Sequence, residues 1–227
     1  MSKGDTFEND LLKLIFNNTD CPLIGDATGL RGSTVAGSLY LSLHTADPGE
    51  AGVQTTNEVA YTGYARVAVV RSTAGFTVTG NSVSPFANVD FGACTAGPTS
   101  YSYWAIGTAA SGAGKILYKG VIGANLGTFT ALATDTITIP GLTGVAVNDN
   151  IAFFAGPGDT LPTGITEGVV YFVKTLSGND ITISTTSGGA TLDITAAGKG
   201  LAMKVTPKAV GVGDIPRIPT TSTIVEN

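Results

Sequence analysis

Charge is scarce in this 227-residue chain: Asp, Glu, Lys and Arg together make up 13% of it, about half of what an average soluble domain carries. Histidine and tryptophan each occur once, and cysteine twice. Each shortage removes a class of function. The 12 Lys and Arg residues are scattered without a basic run, and the net charge is −5. Nucleic-acid binders draw much of their affinity from neutralising phosphates with a basic patch, so no nucleic-acid partner is expected. One histidine and two distant cysteines fall short of a zinc ligand set. Cys21 and Cys94 are also too few for a cysteine-stapled secreted scaffold and are expected as reduced thiols. No apolar run approaches the ~20 residues that span a bilayer. The opening MSKGDTFENDLL has neither the apolar stretch nor the cleavage site of a signal peptide. These readings predict assembly in a cytoplasm, with no membrane partner, metal or cofactor.

What the chain has in quantity is glycine, 31 residues, with many Thr, Ser and Ala among 43% hydrophobic residues. That mixture suits a β-rich protein with tight turns, and its low charge suits a surface partly covered by neighbours. One helix is expected, in residues 1–22. Asp5 is placed as its cap with Glu8 three positions on, and Phe7, Leu11, Leu12, Leu14 and Ile15 form its apolar side. It ends near Asn17-Asn18, ahead of Pro22.

From Ser38 the period becomes two. Leu39, Leu41 and Leu43 face one way and Tyr40, Ser42 and His44 the other, the pattern of a half-buried strand. Asp47-Pro48-Gly49 ends it with turn chemistry. Further strands are read around Val67 and Val69, Phe76 and Val78, and Val89 and Phe91. Ser102–Gly107 and Lys115–Ile122 form a hairpin around TAASGAGK. After Gly127 a second strand set begins: Thr136–Ile139, Asn150–Ala155, Gly168–Thr175, Asp180–Thr185 and Leu201–Val205. The tail Gly211–Asn227 reads as a closing strand of the first set. The expected fold is mainly β: an antiparallel β-sandwich or jelly-roll-like domain (23–127 plus 206–227) with a short N-terminal helix and an inserted small β domain (128–205). Such insertions cost little when they lengthen a loop.

Candidate chemistry is thin. His44 has Ser42 on its own strand face and Asp47 three residues on, an arrangement too local for a catalytic triad; a structural or surface role is expected. Ser111–Lys115 superficially resembles a phosphate loop, but Ile116 stands where the magnesium ligand would be, so a flexible hairpin tip is expected. Asp47 with Glu50, and Asp159 with Glu167, are the carboxylate pairs that glycosidase chemistry could draw on, provided they face each other across a cleft. Trp104, Tyr101 and Tyr103 are read as core packing, with a sugar-stacking platform as the alternative. Asn148-Asp149-Asn150 and Gly158-Asp159 could offer oxygens to calcium, though unspecifically. Asn17-Asn18-Thr19 matches a glycosylation sequon and is read as a helix exit. No catalytic, cofactor-binding or metal-binding residue is assigned.

Leu39–Gly49, LYLSLHTADPG, with Tyr61–Val69, Trp104–Lys115 and Gly213–Pro219, resembles a family of bacteriophage virion structural proteins often labelled tail fibre proteins. Val147–Phe153, Leu161–Ile165 and Val170–Lys174 resemble a small β module that recurs in phage structural proteins. In shorter members of the family the closing strand follows the hairpin directly, which implies that 128–205 is an insertion. The resemblance implies a non-enzymatic virion component, assembled in the host cytoplasm as a homo-oligomer. Its partners would be the major capsid protein or tail proteins. Capsid decoration is the first expectation, and a tail fibre touching the host the second. A glycan-binding or glycan-cleaving module, with the inserted domain meeting host-surface glycan, is the third.

Overall fold

A computed structural model describes residues 3–25 and 29–226. The chain is mainly β, with one short helix and antiparallel sheets that include a six-stranded barrel. The helix, α1 (Asp5–Asn17), starts from Gly4 and not from an Asp5 cap, and no side chain caps it. Asp5 and Glu8 lie in its first turn, where negative charge suits the helix dipole. Its covered stripe is also narrower than periodicity suggests. Leu12 and Phe16 are fully buried while Phe7 is 40% exposed, because only one seam of the helix rests on the sheet system. Phe16 meets Phe76 edge-on at 5.0 Å and Tyr118 at 5.4 Å. Burying each of these large side chains is worth about 2–3 kcal/mol. Asn18 ends the helix in the left-handed conformation (φ 56°), and its side chain exchanges two 2.7 Å hydrogen bonds with the Ser33 backbone. The sequon residues are therefore a helix exit.

The main sheet has the order β2-β1-β7-β8, from β1 (Ser38–His44), β2 (Val67–Val70), β7 (Tyr103–Gly107) and β8 (Ile116–Val121). Its predicted hairpin, β7–β8, is present with a bulge between Ile106 and Gly107. Strand β1 is not half-buried: Leu41, Ser42, Leu43 and His44 are all buried. The second face is covered because residues 45–59 fold back over it, with Thr45 and Val59 paired to Asn57 and Leu43. Small ribbons complete this half. β3 (Phe76–Thr79) and β4 (Ser82–Pro85) form a hairpin, joined by β17 (Ile224–Val225). β5 (Val89–Asp90) pairs with β16 (Arg217–Ile218), and β6 (Thr99–Tyr101) with β15 (Lys208–Val210). The tail thus supplies two short strands where one was expected, and a third, β15, lies just ahead of it. Pro216 and Pro219 lack the N–H that a continuous ladder needs.

The barrel closes in the order β10-β13-β12-β11-β14-β9. Its strands are β9 (Gly123–Ala131), β10 (Ile137–Thr138), β11 (Asn150–Phe154), β12 (Tyr171–Ser177), β13 (Asp180–Ser184) and β14 (Gly198–Val205). Strand β9 runs through Gly127, where the sequence suggests a break. Gly127 takes φ 98° there, and its N–H is held by the Asn125 side chain at 2.8 Å. Closure removes every free edge from these six strands. Phe129, Ile137, Ile151, Phe153, Val173 and Ile181 fill the barrel as one core. Leu12, Phe16, the β1 leucines and Phe76 belong to a separate core under the main sheet.

Arg71, just beyond β2, joins helix to sheet. Its guanidinium donates to the Ile15, Leu14 and Ala36 carbonyls at 2.7, 2.8 and 3.3 Å. Two of these are terminal helix carbonyls, and α1 has no basic residue in its own last turn. Replacement by Ala is expected to cost about 2–3 kcal/mol in urea unfolding, the range for hydrogen bonds to a charged group. A loss below about 0.5 kcal/mol would show that the clamp contributes little.

Candidate functional site: a closed polar network and an ion-paired seam

Strand alternation puts Ser42 and His44 on one face of β1, and the returning segment seals them in. Both are completely buried. The His44 Nδ1 lies 2.8 Å from the Thr56 carbonyl and its Nε2 lies 2.9 Å from the Ser42 hydroxyl. A carbonyl can only accept, so Nδ1 carries the proton. Burial pushes the imidazole pKa down, against opposing effects from the Thr56 hydrogen bond, Glu58 and Asp47. The neutral ring then accepts the Ser42 proton at Nε2. A serine–histidine contact therefore exists, but a carbonyl occupies the place of the orienting acid, and no substrate can reach it. Its work is to hold the cover on β1.

The cover is locked by an ion pair. Arg66 binds Glu58 through two 2.7 Å hydrogen bonds, with side chains only 3% and 14% exposed. The Tyr64 hydroxyl donates to Glu58 at 2.9 Å while accepting from the Leu43 N–H at 3.1 Å. Burial and the neighbouring carboxylate push the tyrosine pKa upward. Arg66 also donates to the Ala109 and Gly112 carbonyls at 3.0 and 2.8 Å. Gln54 adds bonds to the Tyr40 carbonyl and the Ala109 N–H at 3.2 and 3.0 Å. A β-carbon at Gly107 or Gly114 would strike Gln54 at 2.2 Å, so both glycines are required by close approach. The Ser111–Lys115 tip is accordingly fastened on its inner side and is not a free loop.

A second set of contacts joins the sheet to the barrel. The Tyr103 hydroxyl donates to the Gly168 carbonyl at 2.8 Å. Lys119 on β8 pairs with Asp47 at 3.1 Å and Glu50 at 3.0 Å, and its ammonium lies 6.0 Å from the Phe154 ring centroid. Burial alone would lower the lysine pKa, but its hydrogen bonds to Glu50 and Asp47 outweigh that and raise it. Gly168 has φ 69°, and a β-carbon there would sit 2.0 Å from Asp47 Oδ2.

The carboxylate candidates are therefore dispersed. Asp47 and Glu50 share Lys119, Asp159 pairs with Lys199 at 2.9 Å, and Glu167 accepts the Ala155 N–H at 3.2 Å. Asp149 holds Lys204 at 2.7 Å and the Ala146 N–H at 2.7 Å, so a lysine occupies the carboxylate that a calcium ion would need. That lysine and the backbone bond hold the Asp149 pKa below the usual carboxylate range. Among the described residues no group of three His, Cys, Asp or Glu is placed to bind a metal. Cys21 and Cys94 are buried free thiols. Tyr101 and Tyr103 are buried, and Trp104 is half-buried against Gly120, so this strand is packing and not an open sugar platform. Thr56, Glu58, Gln54 and Lys119 carry no local signal of this role in the sequence, because nothing local marks a polar residue whose partner is distant.

The family model described as "Podophage GP4 fiber I protein gp80" matches residues 3–141, more than half of the chain. The match runs from α1 through β10. No curated protein matches the chain. No helix among the described residues is long and apolar enough to cross a membrane.

Two outcomes are expected. The chain has a single histidine, so its NMR titration reports His44 alone, and its midpoint should fall below the ordinary imidazole value of about 6.5. The unfolded chain binds that proton near 6.5 and the folded chain only at lower pH. The resulting stability is complete above about 6.5 and is lost as pH falls through the folded value. A midpoint above 6.5 would contradict the burial argument. Gly168→Ala should destabilise the protein by about 2 kcal/mol or more, from positive φ plus displacement of Asp47; unfolding midpoints that match wild type would remove the seam from the account.

Proposed function

The chain belongs to the podophage GP4 fiber I protein gp80 family, a phage structural family, and on that premise we propose that it is a non-enzymatic component of the phage fibre apparatus. The family match carries the proposal. The described architecture supports it: the one serine–histidine contact is sealed, and the candidate carboxylates are engaged in separate ion pairs and backbone bonds. Segment 128–205 is proposed as an inserted module, with its boundary better drawn at Gly123, where β9 begins. Host-surface glycan is the partner class proposed for that barrel, and tail proteins for the main sheet.

Capsid decoration remains the second reading. It rests on the low charged fraction of 13%, which suits a chain covered by neighbours on a shell. Immunogold labelling of intact particles separates the two readings: label confined to tails is expected, and label over heads would reverse the order. A glycan-hydrolysis assay on the purified chain is expected to show no turnover. Activity that disappears with Asp159→Asn or Glu167→Gln would overturn the non-enzymatic assignment.

A further inference from the structure

The chain passes between the main sheet and the barrel at one place. Strand β8 ends at Val121 and β9 begins at Gly123, while β14 ends at Val205 and β15 begins at Lys208. The outgoing and returning segments lie side by side there. Gly123 pairs with Val205, and the Thr206 N–H donates to the Ile122 carbonyl at 2.7 Å. Ile122 packs against the main-sheet core, whereas Leu126 and Phe129 belong with the barrel core. Four strands thus end at one level, and the side-chain anchoring changes from one core to the other just beyond it. Hinges are built this way, from a few residues at element ends that absorb a change in backbone angle.

Away from the crossing, the contact between the halves is of a kind that can part. The two cores share no residue. Among the described elements, no helix or strand of the sheet half packs along a barrel strand. The Tyr103 hydroxyl reaches the Gly168 carbonyl through one neutral hydrogen bond, a bond that water can replace at small net cost. Lys119 stands 6.0 Å from the Phe154 ring centroid, but both of its ion pairs, with Asp47 and Glu50, lie on the sheet side. They keep that side of the seam in shape and do not cross it. Parts of a chain joined without a large hydrophobic interface move relative to one another by default.

We infer that the barrel is a hinged unit: it swings on the paired crossing at Ile122–Gly123 and Val205–Thr206, and the Tyr103–Gly168 contact is the latch of its docked position. In the open position both latch groups bond to water instead. The inference rests on the fibre reading only for its use, which is to let the barrel meet a surface at more than one angle. Double electron–electron resonance on the full chain tests it. Nitroxides on Phe86→Cys and Leu132→Cys report across the hinge, at positions that are 60% and 66% exposed, while the native Cys21 and Cys94 are buried. Labels on Leu132→Cys and Val147→Cys, both in the barrel half, give the reference width. The cross-hinge distances should contain a second population that the barrel pair lacks. Tyr103→Phe should raise the open-to-docked ratio by about 2- to 10-fold, the net worth of one hydrogen bond. Should that variant fail to fold, the wild-type distribution decides alone. A single cross-hinge distance as narrow as the barrel pair's overturns the inference, as does a second population that Tyr103→Phe leaves unchanged. A rigid chain found on tails would overturn only the hinge, and a hinged chain found on heads only the fibre reading.

Discussion

The Glu58–Arg66 ion pair is the contact on which the rest of the main sheet depends. Buried ion pairs seldom add much net stability, because desolvation offsets their attraction, but removing one partner leaves an uncompensated charge. Here the pair is fully engaged: Glu58 also receives the Tyr64 hydroxyl, and Arg66 also reaches two carbonyls of the β7–β8 tip. One guanidinium thus ties the returning segment, the entry to β2 and the hairpin tip. With those three fixed, residues 54–59 close over β1 and the single histidine becomes an interior hydrogen-bonding group.

The closed cover also forms the platform on which the barrel sits. Asp47 belongs to the turn after β1, Lys119 to β8 and Gly168 to the barrel, and the three meet where Tyr103 reaches the Gly168 carbonyl. Gly168 allows the approach because a side chain there would occupy the space of Asp47. For a structural part of a virus particle, such a seam gives the barrel a defined position relative to the sheet. The two apolar cores remain separate, and the contacts between sheet and barrel named above centre on Lys119, Asp47 and the Tyr103 hydroxyl.

Several elements were legible from local pattern. Leu39, Leu41 and Leu43 announce β1, Asp47-Pro48-Gly49 announces the turn, and the strand pair around TAASGAGK is a hairpin as read. The barrel strands β11 and β13 also fall within a residue or two of their expected ranges. Errors arose where a partner distant in sequence decided the outcome. Phe7 has helical spacing but no neighbour to cover it. Gly127 has breaker chemistry, yet β14 supplies a ladder that carries β9 through it. The tail reads as one closing strand, but its prolines and three different partners divide it from β15 onward.

By itself the sequence determined the structural class: a glycine-rich composition and a period-two pattern that specify antiparallel β structure with tight turns. These follow from composition and spacing of two, which need no knowledge of what lies across the fold. Tertiary structure alone decided that both faces of β1 are buried, that Ser42 and His44 touch but are sealed, and that Arg66, Gln54 and Lys119 are the fastening residues. Polar side chains take their meaning from partners tens of residues away, and no local periodicity encodes a hydrogen bond across that distance.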